Sequence, residues 1–524
     1  MLPIYVLLVF VALVFWILKR PAKGLPPGPT PMPILGNGHQ FIRGILQGKT
    51  NVDIMREWAK IYGNVYTIWL GPLPVIQICD YETSMDAFVK NGEAHAGRPD
   101  MFMSTMIRNG YMGIVQNEGP DWQDQRRFSL HTLRNFGFGR NVMQVKIMDE
   151  ANYRFGVLDK QIDVAKDGKV IMDPAPFFDL LIGSIVNKLL AGYRYDEVLG
   201  NLISLLISSV QSNIDEFRTF KHYLDTAMDI ITPFDNIFLN KYTYKLPLFK
   251  QRWNKVAQPQ LFIIAYMKKQ IDSRLAAIAS GQHVVDLDSD GDDYIDAYLM
   301  EMEKRKQKGQ ELGLFCLENL AVNLSDLWMA GMETTISTIL WTFLYMLNDP
   351  KIQEKASKEI SSVTQGNRDV ELQDKPLLPY INALVTESLR CGNIISFNVL
   401  HKTTTKTVVG DYLLPEGTII TNQLSVIMTN DDNFEDSAKF NPGRFLAEKS
   451  AERQVIAFGV GKRSCIGESL ARAELFLILA NFLQRFKVSP ADGRNPPSME
   501  QLNPGGVVKR VRPYQMAVEK MKYQ

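Results

Sequence analysis

The chain has 524 residues and a nearly even charge balance, 58 Lys and Arg against 57 Asp and Glu, for a net charge of +1. That balance leaves no broad basic footprint and argues against nucleic-acid binding. The four cysteines, Cys79, Cys316, Cys391 and Cys465, lie far apart with no Cys-x-x-Cys pair, which excludes a disulfide framework or a zinc motif and fits a reducing, cytosol-facing compartment.

At roughly 150 residues per domain the length alone suggests three or four domains. No Pro/Gly/Ser linker or charge block divides residues 50–524, so one large, mostly helical domain is expected. Leu2 to Leu18 form an apolar run interrupted only by Pro3, with Lys19, Arg20 and Lys23 just beyond it. Seventeen residues is the low end for crossing a bilayer, and the basic end stays cytosolic by the positive-inside rule. A cleaved signal peptide would need small residues at its cleavage site, where Phe15, Trp16, Ile17 and Leu18 stand instead. The expectation is an uncleaved anchor over residues 1–20. The stretch from Pro26 to Pro33 places five prolines in eight residues, which cannot be helix and reads as a stiff linker over residues 21–37.

Residues 50–62 read as a helix, followed by a hairpin of residues 65–70 and 74–79 around Gly71-Pro72. Ala96-Gly97-Arg98-Pro99 and then Met101 to Ile114 read as a loop rich in Met and Gly. Asp121 is expected to cap a helix on which Trp122 and Arg126, spaced i, i+4, share a face. Residues 150–280 read as amphipathic helix with a break near Pro233 and an aromatic segment from Phe234 to Phe249. Asp286 to Gly291 fits the start of a calcium loop, but the twelfth position is Ala297 rather than Glu. It is expected to be a solvated loop before a helix over residues 292–304.

Leu314 to Leu347 reads as one helix about 50 Å long. Its centre, Ala330-Gly331-Met332-Glu333-Thr334-Thr335, contains poor helix formers. Thr334 can turn its hydroxyl onto the carbonyl of Ala330, which bends helices, and Gly331 leaves room beside the axis. A further helix ends in Thr386-Glu387-Ser388-Leu389-Arg390, where Glu387 and Arg390 are i, i+3 neighbours. Ile394 to Leu400 reads as a short apolar strand leading to His401.

Phe458-Gly459-Val460-Gly461-Lys462-Arg463-Ser464-Cys465-Ile466-Gly467 precedes a helix over Glu468 to Arg485. Gly459 and Gly461 allow a tight turn, and Gly467 lets a flat ligand approach the backbone. A cysteine just ahead of a helix N-terminus is favoured as an anion, which lowers its pKa. This string resembles the haem-binding signature of the cytochrome P-450 monooxygenases. The other motifs stand in that family's order: Trp122-x-x-x-Arg126, Ala330-Gly331-x-Glu333-Thr334, Glu387-x-x-Arg390, and Arg444 from Phe440-Asn441-Pro442-Gly443-Arg444-Phe445. The run on to Gly137 is similar to the drug- and fatty-acid-metabolising microsomal branch. Two departures are Gly443, where the family usually has an acid, and Leu400, where it often has proline.

The resemblance covers about residues 25–520. It implies a mainly α P-450 fold with a small β region, preceded by one N-terminal transmembrane helix, and a haem-containing domain over residues 38–524. It implies haem b on the thiolate of Cys465, with Phe458, Gly459 and Ala330 beside the ring. Trp122, Arg126, His401, Arg463 and Arg98 would serve the propionates. It implies that Thr334 hydrogen-bonds dioxygen and that Glu333 helps deliver protons, while Glu387, Arg390 and Arg444 form a buried structural triad. The implied reaction inserts one oxygen atom of O2 into a lipophilic small molecule, a xenobiotic, fatty acid or steroid. The chain shows no flavin or nicotinamide fingerprint, so electrons would come from the membrane-bound NADPH-cytochrome P-450 reductase, with Lys462, Arg127 and Arg134 in its docking patch. Cytochrome b5 is allowed as a further partner, and the endoplasmic reticulum membrane is the implied location. Two other readings remain open: a haem-thiolate isomerase or dehydratase, against which Glu333-Thr334 argues, and a non-enzymatic haem sensor or carrier.

Overall fold

Thr50 starts the first long helix with a reciprocal cap. Its hydroxyl accepts from the Asp53 N–H while the Asp53 carboxylate accepts from the Thr50 N–H, satisfying two otherwise free donors. This helix, α1 (Asn51–Tyr62), leads into β1 (Val65–Leu70) and β2 (Leu73–Ile78), an antiparallel hairpin that turns at Gly71-Pro72. The computed structural model describes Tyr5 and residues 7–11, 24–137, 141–195, 213–232, 235–504, 506 and 508–522. The expected anchor lies mostly outside the described residues; residues 7–11 are helical and exposed. The break expected near Pro233 also lies outside them.

The proline-rich stretch lies against the hairpin. Thr67 donates its backbone N–H to Pro27 O at 2.8 Å and its hydroxyl to Pro26 O at 2.7 Å. A Cβ on Gly28 would meet Thr67 O at 1.9 Å, so only glycine fits that approach.

The β structure comprises more than the expected hairpin. Further strands are β3 (Lys169–Met172), β4 (His401–Lys402), β5 (Thr407–Val409), β6 (Tyr412–Leu414), β7 (Ile419–Asn422), β8 (Phe486–Pro490) and β9 (Met516–Lys520). They form sheets in the orders β1-β2-β7-β4, β3-β9-β8 and β5-β6. β2 and β7 run parallel, and the other pairs are antiparallel. Ile394 to Leu400 is not a strand. Ile395 makes only an isolated bridge to Val508, and the ladder with β7 begins at His401.

The longer helices after α1 are α2 (Gly119–Asn135), α3 (Asn141–Val164), α4 (Pro174–Ala191), α5 (Asn213–Ile230), α6 (Pro247–Ala279), α7 (Tyr294–Gln307), α8 (Leu317–Asn348), α9 (Pro350–Thr364), α10 (Pro379–Gly392) and α11 (Glu468–Arg485). α8 has 32 residues and packs on α4, α6, α9, α10, α11 and β8. Trp328, Trp341 and Phe343 are among its buried side chains, and most of its length is buried, as expected of a central helix. Among the described residues α4 alone is long and apolar enough to cross a membrane, and most of it is buried inside the protein.

Two local expectations are corrected. Asp121 does not cap α2: the helix starts two residues earlier, after Glu118, with Pro120 in its first turn, where proline's missing N–H costs nothing. The Met- and Gly-rich stretch is not all loop, because Phe102–Ile107 forms a short helix that buries Met103 and Ile107.

Behind the last helix pair sits a desolvated charge cluster. Arg390 forks onto Glu387, Nε to Oε2 at 2.7 Å and Nη2 to Oε1 at 2.9 Å, and Arg444 Nε reaches Oε1 at 3.1 Å. The remaining guanidinium hydrogens go to backbone carbonyls of Met428, Ser437, Glu435 and Lys439. The two arginines thus hold an irregular loop by its carbonyls, while Glu387 offsets one of their two charges. Glu387→Gln should destabilise the protein by about 3–5 kcal/mol, because it leaves buried guanidinium charge unpaired. Urea denaturation of the purified variant measures this, and a loss under about 1 kcal/mol would contradict it.

Candidate functional site

The cysteine loop is shaped by its glycines. Gly459 and Gly461 have φ of +69° and +82°, and a Cβ on Gly461 would lie 1.8 Å from Phe88 O. The Cys465 N–H donates to Phe458 O at 2.9 Å, closing the loop. Gly467 then caps α11 with open space on its Cα side, where Cys465 Sγ is the nearest atom at 3.8 Å. Cys465 is an exposed residue, yet protein packs round its sulfur. Burial pushes the thiol up, against the pull of the Gly467 and Glu468 N–H groups and the Arg126 charge. The helix-terminal N–H groups thus do pull the thiol down, but burial outweighs them. Bonding to a metal ion would deprotonate it outright.

Beside the loop, the structure brings Arg98, Trp122, Arg126, His401 and Arg463 into one cationic cluster. Arg463 stacks on the Trp122 ring at 3.5 Å and Arg126 lies 5.8 Å from the same ring. Arg463 Nε donates to Ala96 O, but both its Nη atoms are buried without a partner. Trp122 Nε1 and His401 Nε2 are buried and unpartnered too. Burial, with Arg98 and Arg126 alongside, pulls the Arg463 guanidinium down to about 8, and burial together with Arg126 pulls Arg98 down to about 10. A guanidinium keeps its proton in a protein, so the cluster calls for anions. Glu118 acts on Arg98 and Arg463 but is already held by Lys402 Nζ and the Arg98 N–H.

Haem b fits this demand. It carries two carboxylates, and unpartnered buried donors are rare in folded proteins. His401 adds a condition. Its Nδ1 lies 2.6 Å from His95 O, so that nitrogen carries the hydrogen and Nε2 of the neutral ring is an acceptor. Burial and Arg98 hold its pKa well below the usual value. A carboxylate beside Nε2 would raise it and make the ring a donor.

On α8, Thr334 Oγ1 donates to Ala330 O at 2.7 Å. Ala330 is exposed and Gly331 and Thr334 are partly so, while Met332, Glu333, Thr335 and Ile336 are buried. They make an uncovered stripe in the middle of a buried helix. Glu333 faces away from that stripe's solvent. It is 2% exposed and pairs with Lys221 Nζ at 2.9 Å and Arg510 Nη2 at 3.8 Å. Those two cations also hold Asp225, Asp179 and Asp229. Sequence reasoning missed Lys221 and Arg510. They lie more than 100 residues from Glu333 in sequence, in segments with no motif, and no spacing rule could pair them.

A family model for cytochrome P450 matches residues 26–518. The chain is 34% identical to the probable cytochrome P450 cyp-35D1 of Caenorhabditis elegans over 477 residues, covering 90% of each chain. It is 30% identical to cytochrome P450 2C8 of Homo sapiens over 494 residues, 93% of this chain and 92% of that protein. It is 29% identical to cytochrome P450 2U1 of Bos taurus over 506 residues, 91% of this chain and 87% of that protein.

If Arg463 donates to haem carboxylates, replacing it by methionine removes charge-assisted hydrogen bonds worth about 1.5–3 kcal/mol. Haem should then pass to an acceptor apoprotein about tenfold to a hundredfold faster than from the unmodified protein. An unchanged transfer rate would exclude Arg463 as a haem contact.

Proposed function

This chain belongs to the cytochrome P450 family of monooxygenases, and from that premise we propose that it binds haem b through Cys465 and oxidises a lipophilic small molecule. Bound haem supplies the redox chemistry, in which one atom of O2 enters the substrate and the other leaves as water. The single observation that carries this reading is the set of unpartnered donors, Arg463 Nη1 and Nη2 and Trp122 Nε1, beside the cysteine loop. Trp122, Arg126, Arg463, Arg98 and His401 would hold the propionates. Phe458 and Gly459 would lie along the cysteine side of the ring, and Ala330 along the other.

Thr334 has its hydroxyl hydrogen on Ala330 O, which leaves its oxygen free to accept a hydrogen bond in the groove. Turning that hydrogen outward makes it a donor there. Glu333 pairs with Lys221 and Arg510, and we assign it to the path that brings protons from that network to the groove. Asp229, 44% exposed on its side chain, gives that network an edge in water. We assign electron supply to an NADPH-dependent reductase. Arg127 and Arg134 are exposed on α2, and Lys462 sits beside the cysteine loop paired with Glu93; these three are the proposed docking charges, which cytochrome b5 could share. Residues 1–20 are assigned to an endoplasmic reticulum anchor and residues 21–37 to a linker, with residues 38–524 facing the cytosol.

The test is the absorption spectrum of dithionite-reduced, CO-bound protein in detergent. A strongly red-shifted Soret band is expected from thiolate ligation, whereas a band typical of histidine or neutral-thiol ligation would refute the role of Cys465. Thr334→Ala should keep the haem and this band but lower product formed per NADPH by on the order of tenfold, with peroxide accounting for the difference. Unchanged product yield would remove Thr334 from the reaction.

A further inference from the structure

α8 and α11 cross with one acid buried between them. Glu474 on α11 is 1% exposed and Thr335 on α8 is 3% exposed. Thr334, Thr338 and Thr342 each donate their hydroxyl to the carbonyl four residues back. Thr335 instead turns its hydroxyl across the helix interface to Glu474 Oε2, at 3.3 Å. The other carboxyl oxygen, Oε1, is buried without a partner. Around the pair, Leu470, Ala473, Leu475, Ile336 and Ile339 belong to the same apolar core, and among the described residues no cation offsets the acid. Burial pushes this carboxyl up to about 8, and the Thr335 bond pulls the other way. Below that value a raised acid is mostly protonated, so at neutral pH Glu474 is a neutral group with an O–H to give. A buried polar group in an apolar interface lowers stability relative to a well-packed hydrophobe, so tight packing alone does not account for an acid here.

We propose that Glu474 is a positioning residue for the oxygen side of the site: through Thr335 it fixes the turn of α8 that carries Thr334 to the helix that begins just beyond Cys465. This rests on the monooxygenase reading above. Thr335 neighbours Thr334 on α8, and α11 starts at Glu468, so one hydrogen bond joins the two halves of the site. The clamp works through orientation and makes no contact with substrate.

The test compares the full-length haem protein with Glu474→Leu, Thr335→Val and Glu474→Gln. The leucine and valine variants should retain haem and the red-shifted CO band, yet lose product per NADPH severalfold. Amide hydrogen exchange over residues 331–337 should accelerate in both. Glu474→Gln, which keeps a donor and an acceptor, should restore most of the yield and the protection. The infrared carbonyl band of a protonated carboxylic acid should vanish in both Glu474 variants and shift in Thr335→Val. Unchanged exchange over residues 331–337 in Thr335→Val, or equal losses in the glutamine and leucine variants, would overturn the proposal. Hydrogen exchange and the infrared band need no turnover, so they still decide the clamp if the unmodified protein lacks the red-shifted CO band and the monooxygenase reading itself fails.

Discussion

Three guanidinium groups, Arg98 buried and Arg126 and Arg463 half-buried, tie the site together before any ligand is considered. Arg98 donates to the carbonyls of Val115, Val399 and Leu400, Arg126 to Ser464 O, and Arg463 to Ala96 O. They join chain segments hundreds of residues apart, each by backbone rather than side chain, so the joins tolerate change in the side chains they cross. Their cost is electrostatic. Gathering like charges in a dry region opposes folding unless anions enter. Haem propionates would supply those anions, and the same arginines would then couple cofactor binding to the packing of the surrounding loops.

The central helix shows a comparable compromise. Packed on five helices and on β8, α8 buries Trp328, Trp341 and Phe343 in the apolar core. Its middle nevertheless carries Glu333, Thr334 and Thr335, each turned to a different partner. Glu333 reaches the cations Lys221 and Arg510, Thr334 its own helix at Ala330, and Thr335 the acid Glu474. Three adjacent residues on a helix point about 100° apart, which is why one short run can serve an ion network, a groove and a helix interface at once. Burial also pushes the carboxyl of Asp179, a member of the Lys221 network, upward, while Lys221 pulls it down.

Much of this was legible in the chain itself. The helix after Cys465, the hairpin at Gly71-Pro72 and the Thr334 hydroxyl bond to Ala330 O follow from local spacing and turn chemistry, and the structure has them at Glu468–Arg485, at residues 65–78 and on α8. Local rules failed where a contact from elsewhere outweighed them. Asp121 looked like a cap, but α2 begins earlier at a proline. Ile394 to Leu400 looked like a strand, but no neighbour offers it a ladder. Cys465 looked acidified by a helix end, but burial outweighs that dipole.

The sequence by itself determined which residues can do the chemistry, because a turn that needs glycine, a thiol before a helix and a threonine four residues after a carbonyl are all short-range facts. Tertiary structure alone decided what surrounds them. The Nδ1 hydrogen of His401 is set by His95 O, Glu333 by Lys221 and Arg510, and Glu474 by Thr335. Each of these depends on burial and on a partner across the fold, and desolvation has no signature in the order of residues along a chain.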